Sequence, residues 1–247
     1  MPLLYIFSPL IMNRYFFLLV STSILLAACN NKDQQLKQSV ALYKQALSNN
    51  DATTSKLALN QILLIDSSNT DYMDSLSRIY MRSGNFDAGL KYAEAVYNAG
   101  KAGAKLKENM ALAYQQTGET EKAEKFISNL MDETMDYKYL YQKLVIQYEN
   151  GNQPLFDSLS TNILDRVESD SLVARTIVPM PGPVSGVQQM VPIKAATLFL
   201  IGNNALERKQ DVNTAVKYLK LSIEEYEQFE MPRYVLMELE KMMYGRR

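Results

Sequence analysis

The sequence predicts an all-α protein made of antiparallel helix pairs, and three observations lead to this prediction. Similar residues recur at a spacing of 34 positions, as Tyr80, Tyr114 and Tyr148 do. Gly84 and Gly118 share that spacing, and glycine suits the tight turn between two helices because it tolerates the left-handed conformation. The residues between these marks follow the apolar spacing of amphipathic helices. A helix pair that cannot bury its apolar face alone must stack on similar neighbours.

The N-terminal segment, residues 1–28, is predicted to be a signal peptide. Arg14 is its only charged residue, and Met12 offers a second possible start beside Met1. After Arg14 comes an apolar run and then a small-residue end, Ala27-Ala28, which is the layout of a secretory signal. The run is shorter than the ~20 residues that a membrane-spanning helix needs.

The segment Leu26-Ala27-Ala28-Cys29 resembles the bacterial lipobox, and Cys29 is the only cysteine of the chain. The resemblance implies a diacylglyceryl thioether on Cys29, cleavage before it, and acylation of the new amino terminus, for example with palmitate. Several acyl chains on one residue would anchor the protein stably in a membrane. A plain signal peptide, or a membrane anchor with an incidental cysteine, is the alternative.

A polar tether over residues 29–35 follows the lipobox. No Asp stands directly after Cys29, and in enteric bacteria that Asp favours retention in the inner membrane. The resemblance therefore implies an outer-membrane lipoprotein in the cell envelope. A surface-export signal around Lys32-Asp33 is a further possibility, so the sequence leaves open whether the protein faces the periplasm or the cell surface.

Residues 36–168 carry the repeats, which align in columns 34 residues apart. Two columns have a special steric role, one in the turns between helices and one where two helices approach closely. The turn column is Asn50, Gly84, Gly118 and Asn152, and the small-residue column is Ser55, Gly89, Ala123 and Asp157. Large apolar residues form two further columns, Leu42, Leu76, Met110 and Leu144, and Ile62, Val96, Leu130 and Leu164.

These columns resemble the tetratricopeptide repeat (TPR). The clearest copies span 72–97 and 106–131, and weaker copies span 35–66 and 136–165. Family positions are held by Leu76, Tyr80, Gly84, Phe86, Tyr92 and Val96, and then by Met110, Ala111, Tyr114, Gly118, Ala123, Phe126 and Leu130. The resemblance implies a right-handed superhelix of antiparallel helix pairs, a TPR-like α-solenoid that binds proteins.

An insertion over 169–192 interrupts the repeats. Its proline-rich stretch, 178–186, is incompatible with a continuous helix and favours extended backbone. It is predicted to be either a structural cap or crossing linker, or a loop that contacts a partner. A further TPR-like repeat is predicted over 193–229, with one extra residue in its turn near Gln210. A C-terminal helix over 230–247, with Leu236, Leu239 and Met243 on one face, is predicted to cap the array.

The composition excludes several kinds of chemistry. The chain has no His and one Cys among 247 residues, which excludes Ser-His-Asp triads, His-ligated zinc, disulfides and cysteine clusters. A formal net charge of −1 offers no basic excess for nucleic acid. Carboxylate pairs such as Asp71 and Asp74 lack a partner base or phosphate loop. The prediction is a protein that is not an enzyme and binds no metal, nucleic acid or cofactor apart from the lipid on Cys29.

The TPR resemblance also locates a candidate partner groove, because the first helices of the pairs line the concave side in that family. The aligned residues are Asp71, Asp74, Arg78, Arg82, Lys105, Glu108, Leu112 and Gln115. Their charges are mixed, which suits specific pairing with a peptide or helix. The tyrosine stripe Tyr137, Tyr141 and Tyr148 is predicted to belong to the core.

Three functions are compatible with these features. The first is a membrane-anchored scaffold or adaptor lipoprotein that binds a protein partner in the envelope. The second is a subunit of an outer-membrane assembly, secretion or pilus machine, since lipoproteins with TPR repeats serve in such machines. The third is an enzyme or small-molecule carrier, which would need a closed pocket near Met190, Tyr218 and Tyr226.

Overall fold

A computed structural model describes residues 31–244, so the predicted signal peptide, the lipobox-like segment and Cys29 lie outside the described residues. Within that range the protein is helical apart from one short β-hairpin. The elements are α1 (31–48), α2 (Ala52–Ile65), α3 (Thr70–Arg82), α4 (Phe86–Asn98), α5 (Ala104–Gln116), α6 (Thr120–Thr134), α7 (Lys138–Glu149), α8 (Gln153–Ser169), α9 (Ser171–Ala174), β1 (Ile177–Met180), β2 (Gln189–Pro192), α10 (Ile193–Glu207), α11 (Val212–Glu225) and α12 (Glu230–Tyr244). The all-α prediction is confirmed.

The chain divides into two compact units, Met1–Leu106 and Lys107–Arg247, and α5 begins in the first and ends in the second. In the first unit, α2 packs on α3 and α3 packs on α4. Leu59, Ile62 and Leu76 are fully buried there. The rings of Tyr43 and Tyr72 meet edge to face, with their centroids 6.0 Å apart, which joins α1 to α3.

In the first three helix pairs, each turn combines a left-handed residue with a polar residue at the N-cap, and the left-handed residue is the one in the turn column. Gly84 and Gly118 have φ values of 76° and 80°, and Asn50 has a φ of 53°. The side chain of Asn85 then accepts a hydrogen bond of 3.3 Å from the backbone N–H of Ala88. Such a cap satisfies one of the free N–H groups at the start of the helix.

The turn between α7 and α8 departs from the 34-residue register. Asn152 was expected in the left-handed position, but its φ is −78° and it is the N-cap of α8. Gly151 is left-handed instead, with a φ of 67°. Three residues separate the two helices here, as they do after α3 and α5, but α7 has 12 residues where α3 and α5 have 13, so this turn begins one residue early in the register.

This shift also overturns the prediction that Asp157 holds the small-residue position of α8. That position lies four residues after the N-cap, where α2, α4 and α6 carry Ser55, Gly89 and Ala123. In α8 the residue is Phe156, which is only 1% exposed, while Asp157 faces solvent. A large ring thus replaces a small side chain where α7 and α8 meet, and it lies 6.0 Å from the ring of Tyr148.

The second unit has its core around α10. This helix is buried along most of its length, and it packs on α7, α8, α9, α11 and both strands. The core includes Leu144, Phe156, Ile163, Phe199 and Phe229. Gly202 allows α10 to approach α11, because a β-carbon there would lie 3.0 Å from Cγ of Leu219 and 3.2 Å from the carbonyl of Ala215. The turn between these helices is one residue longer than after α5, with Gln210 left-handed at a φ of 53°.

The insertion forms a two-stranded antiparallel hairpin, which agrees with the extended backbone that its prolines favour. Val178 pairs with Val191, and both are buried against the helical core. The loop at its end is held by the first residue of α12: one carboxylate oxygen of Glu230 accepts hydrogen bonds from the N–H groups of Val184, at 2.8 Å, and Ser185, at 2.9 Å. The side chain of Gln189 accepts a hydrogen bond from the N–H of Glu230 and donates one to the carbonyl of Gln228, just before α12.

The C-terminal helix α12 packs on α11. Leu239 is buried and Leu236 is half-buried on its inner face. No helix in the range 31–244 is both long and apolar enough to cross a membrane.

Candidate functional site

The first half of the predicted groove is a polar stripe along α3, in the N-terminal unit. Asp71, Asp74, Arg78 and Arg82 follow one another at helical spacing, and all four are accessible to solvent. Arg78 binds Asp74 with two hydrogen bonds, Nε to Oδ1 at 3.0 Å and Nη2 to Oδ2 at 2.7 Å. This hydrogen bonding raises the pKa of Arg78. Asp71 and Arg82 stand at opposite ends of the stripe, at the first and last turns of α3.

The second half of the predicted groove lies on α5. Lys105 is exposed near the start of the helix, and Glu108 and Gln115 are half-buried. Leu112 is 52% exposed, so the stripe presents an apolar side chain between polar ones. The predicted residues of α3 and those from Glu108 onward belong to different units.

Within the second unit, α7 joins the α5 stripe through Glu108. The ammonium group of Lys138 lies 2.9 Å from Oε1 of Glu108 and 3.1 Å from Oδ2 of Asp136. The hydroxyl of Tyr139 donates a hydrogen bond of 2.7 Å to the same oxygen of Glu108. Burial alone would lower the pKa of Lys138, but its hydrogen bonds to Glu108 and Asp136 outweigh that effect and raise it. Burial and the Glu108 hydrogen bond raise the pKa of Tyr139 to about 12.

The other end of the α5 stripe is joined to α7 through Gln115. Its side-chain amide donates a hydrogen bond to the carboxylate of Glu149, which is 34 residues further along the chain. Leu112 remains accessible between these two connections. The result is a surface over α5 and α7 with one exposed leucine, two polar connections and mixed charge.

Tyr148 extends this surface from α7 to α10. Its hydroxyl accepts a hydrogen bond of 2.7 Å from Nδ2 of Asn203 and donates one to Glu207. Arg208 donates hydrogen bonds to the carbonyl oxygens of Tyr148, at 3.1 Å, and Glu149, at 3.3 Å. Burial and the contact with Glu207 raise the pKa of Tyr148. Tyr148 is therefore partly a surface residue, whereas Tyr141, 5% exposed, lies in the core as predicted.

Several residues of this surface were not among the predicted groove residues: Lys138, Tyr139, Glu149, Asn203, Glu207 and Arg208. A signal for two of them was present, because a step of 34 residues leads from Lys105 to Tyr139 and from Gln115 to Glu149. The α10 residues carry no such signal, since the insertion interrupts the register before them.

The described residues offer no arrangement for metal chemistry: no group of three or more His, Cys, Asp or Glu side chains in 31–244 could hold a metal ion. Two grooves have cavities of about 400 and 440 Å³, one between α1 and α2 and the other over α8, α10 and α11. A carrier or enzyme would need a closed pocket near Met190, Tyr218 and Tyr226. None of these three residues lines either groove. Met190 is 51% exposed on the hairpin.

The fold is that of TPR proteins. The structure of YrrB, described as a TPR protein with an unusual peptide-binding site, aligns over 86% of this chain and 97% of its own, with a TM-score of 0.56 and 12% identity. PilW, described as a widely conserved type IV pilus biogenesis factor, aligns over 87% of this chain and 89% of its own, with a TM-score of 0.52 and 13% identity. A TPR protein from Parabacteroides merdae ATCC 43184 aligns over 79% of this chain and 68% of its own, with a TM-score of 0.52 and 18% identity. Neither a protein-family profile nor a curated protein sequence matches the chain.

Proposed function

We propose that this protein is a membrane-anchored TPR scaffold, a lipoprotein of the bacterial envelope that binds a protein partner and catalyses no reaction. The observation that carries the proposal is that side chains on the first helices of the TPR pairs are accessible, on α3 in the first unit and on α5 and α7 in the second. On α3 these side chains include Arg78 and Arg82, which lie one helical turn apart. On α5 the exposed Leu112 lies among polar groups of α5 and α7. An exposed apolar anchor with charged neighbours is typical of protein-binding surfaces.

The anchor is tested by metabolic labelling with an alkyne fatty acid. The full chain should incorporate the label and partition with membranes. The Cys29→Ala variant should lose both properties, because a thiol is required for the thioether. Ser23→Ala, in the same apolar segment, is the matched control and should keep the label. An unlabelled protein with a free thiol at Cys29 would contradict the lipoprotein proposal.

The partner surface is tested by cross-linking in intact envelopes. The double reversal Arg78→Glu/Arg82→Glu should reduce recovery of the cross-linked partner by about tenfold, because like charges at an interface repel. Lys91→Glu/Lys125→Glu changes the net charge equally but lies on the second helices α4 and α6, and it should keep the partner. Equal recovery with both double variants would reject the α3 stripe as a binding surface. Thermal unfolding confirms that each variant is folded.

A subunit of an outer-membrane assembly, secretion or pilus machine is the second candidate function. It is favoured by the likeness to PilW, described as a pilus biogenesis factor, along nearly the whole of both chains. The two candidates differ in the size of the complex that contains the protein. Mild solubilisation followed by sedimentation should find a binary complex for an adaptor and a large complex of several proteins for a machine subunit.

A further inference from the structure

The C-terminal unit has a groove between α8 and α11, and none of its lining residues belongs to α5 or α7. Its cavity has a volume of about 440 Å³. The cavity is lined by three leucines, Leu164 of α8, Leu198 of α10 and Leu221 of α11. We call this surface the α8–α11 groove. Leu198 is mostly buried, at 7% exposed, and Leu164 and Leu221 are half-buried.

The remaining residues that line the α8–α11 groove are charged, and their charges are strongly unequal. They are Asp165 and Glu168 on α8, Glu224 and Glu225 on α11, and Lys194 on α10. Four carboxylates therefore face one ammonium group, although the whole chain has a formal net charge of only −1. The helices α8 and α11 contribute two carboxylates and one leucine each.

Lys194 forms ion pairs with two of these carboxylates. Its ammonium group lies 2.9 Å from Oε1 of Glu168 and 3.2 Å from Oε2 of Glu225. Among the described residues, the carboxylates of Asp165 and Glu224 have no hydrogen bond or ion pair. One unpaired carboxylate thus remains on α8 and one on α11.

We propose that the α8–α11 groove binds a basic amphipathic helix of a protein partner. Leucine-type side chains of that helix would cover Leu164, Leu198 and Leu221. Lysine or arginine side chains on its two flanks would pair with Asp165 and Glu224. A helix is the form that fits, because one helix presents apolar side chains in a central line with cationic side chains on either side. Both α8 and α11 pack on α10, and a further helix could pack over α10 between them by ordinary side-chain packing.

The test uses the full chain in detergent, with benzoylphenylalanine in place of Thr161. Thr161 is exposed on α8, one turn before Asp165. The probe is a biotinylated helical peptide of about 15 residues, built from leucine and lysine at amphipathic spacing. Comparison peptides have the same composition in scrambled order, or glutamate in place of lysine. Cross-linked biotin is measured as a function of peptide concentration, which separates binding at the groove from partition of the peptide into detergent.

Cross-linking of the leucine–lysine peptide should saturate as its concentration rises. Added salt should weaken binding of the peptide, because salt screens exposed charge pairs. The Asp165→Lys/Glu224→Lys variant should bind about tenfold more weakly or worse. The matched control, Glu121→Lys/Glu240→Lys, makes the same change in net charge on α6 and α12 and should bind as the unaltered protein does. Unfolding curves verify that both variants are folded.

Four results would overturn the proposal. Equal cross-linking of the scrambled peptide would show attraction without recognition of a helix. Equal cross-linking of the glutamate peptide would show that the carboxylates have no role. The same weakening in the control variant would show an effect of net charge alone. Cross-linking of one copy of the chain to another, without cross-linking of the peptide, would show that a second copy occupies the groove.

Discussion

The side chain of Met81 lies directly against Gly89, so that a β-carbon built on Gly89 would be 2.5 Å from Cγ of Met81. The same β-carbon would lie 3.3 Å from the carbonyl oxygen of Ser77. The two helices α3 and α4 can therefore approach only because residue 89 has no side chain. This contact is the physical reason for a small residue in that column of the repeat.

Gly89→Ala should destabilise the protein for that reason. Alanine is a better helix former than glycine by about 1 kcal/mol, but overpacking of a buried contact costs roughly 1–3 kcal/mol. We expect a net loss of about 1 kcal/mol in the free energy of unfolding, measured by denaturant titration. Gly103→Ala is the control, since nothing lies within 4 Å of a β-carbon there. A Gly89→Ala variant that is more stable than the unaltered protein would disprove the close approach of α3 and α4.

Tyr114→Ala should cause a large loss of stability. Tyr114 is 3% exposed, and its ring lies 5.6 Å from the ring of Phe126, which joins α5 to α6. Removing a buried aromatic side chain costs about 3–5 kcal/mol. Tyr234→Ala is the comparison, because Tyr234 is 40% exposed on α12 and its loss should cost less than about 1 kcal/mol. Similar losses for both variants would place the tyrosine column on the surface.

Glu230→Ala should release the hairpin loop without unfolding the protein. The carboxylate of Glu230 accepts the N–H groups of Val184 and Ser185, so hydrogen exchange at these two amides should become faster. Glu227→Ala, at an exposed position just before α12, should leave their exchange unchanged.

Acid should release the same loop. The hydrogen bond from the backbone of Ser185, with that from Val184, lowers the pKa of Glu230 below its ordinary value. The stabilising effect of the carboxylate is therefore complete above the ordinary glutamate pKa, and it is lost as the pH falls through the lowered pKa. Amide protection at Val184 and Ser185 should decline in that acidic range. Protection that persists in acid would show that other contacts hold the loop.

Alkaline pH should destabilise the C-terminal unit through Tyr141. Burial raises the pKa of this phenol, whose hydroxyl donates to the sulfur of Met180 at 3.3 Å. A raised pKa means that the stabilising effect is complete below the ordinary tyrosine pKa of about 10 and is lost as the pH rises through the folded value. The melting temperature of the unaltered protein should fall as the pH rises above about 10. The melting temperature of the Tyr141→Phe variant should fall less steeply over the same range. Tyr234→Phe, at an exposed site, is the control and should follow the unaltered protein.

The repeat register was predictable where local chemistry decides it. Gly84 and Gly118 adopt the left-handed conformation, which glycine does at little cost. The α7–α8 turn has a glycine followed by an asparagine, Gly151 and Asn152, as the α3–α4 turn does. Glycine took the left-handed position and asparagine became the N-cap, which moved Phe156 into the small-residue position. Sequence spacing alone favoured the other arrangement.

The candidate surface was predictable on α3 and α5, where the repeat is regular. Its extension to Asn203, Glu207 and Arg208 was not, because these residues reach Tyr148 from more than 50 positions away. The leucines and carboxylates of the α8–α11 groove are separated along the chain in the same way, and no spacing rule connects them.

The sequence by itself determined the helices, their pairing and most of their turns, because periodicity, N-caps and left-handed residues act over a few neighbouring positions. Only the tertiary structure decided the closeness of each pair, the seating of the hairpin on Glu230 and the set of side chains that share a surface. These features depend on the space left between elements distant in the chain, and that space is settled only when their side chains pack against one another.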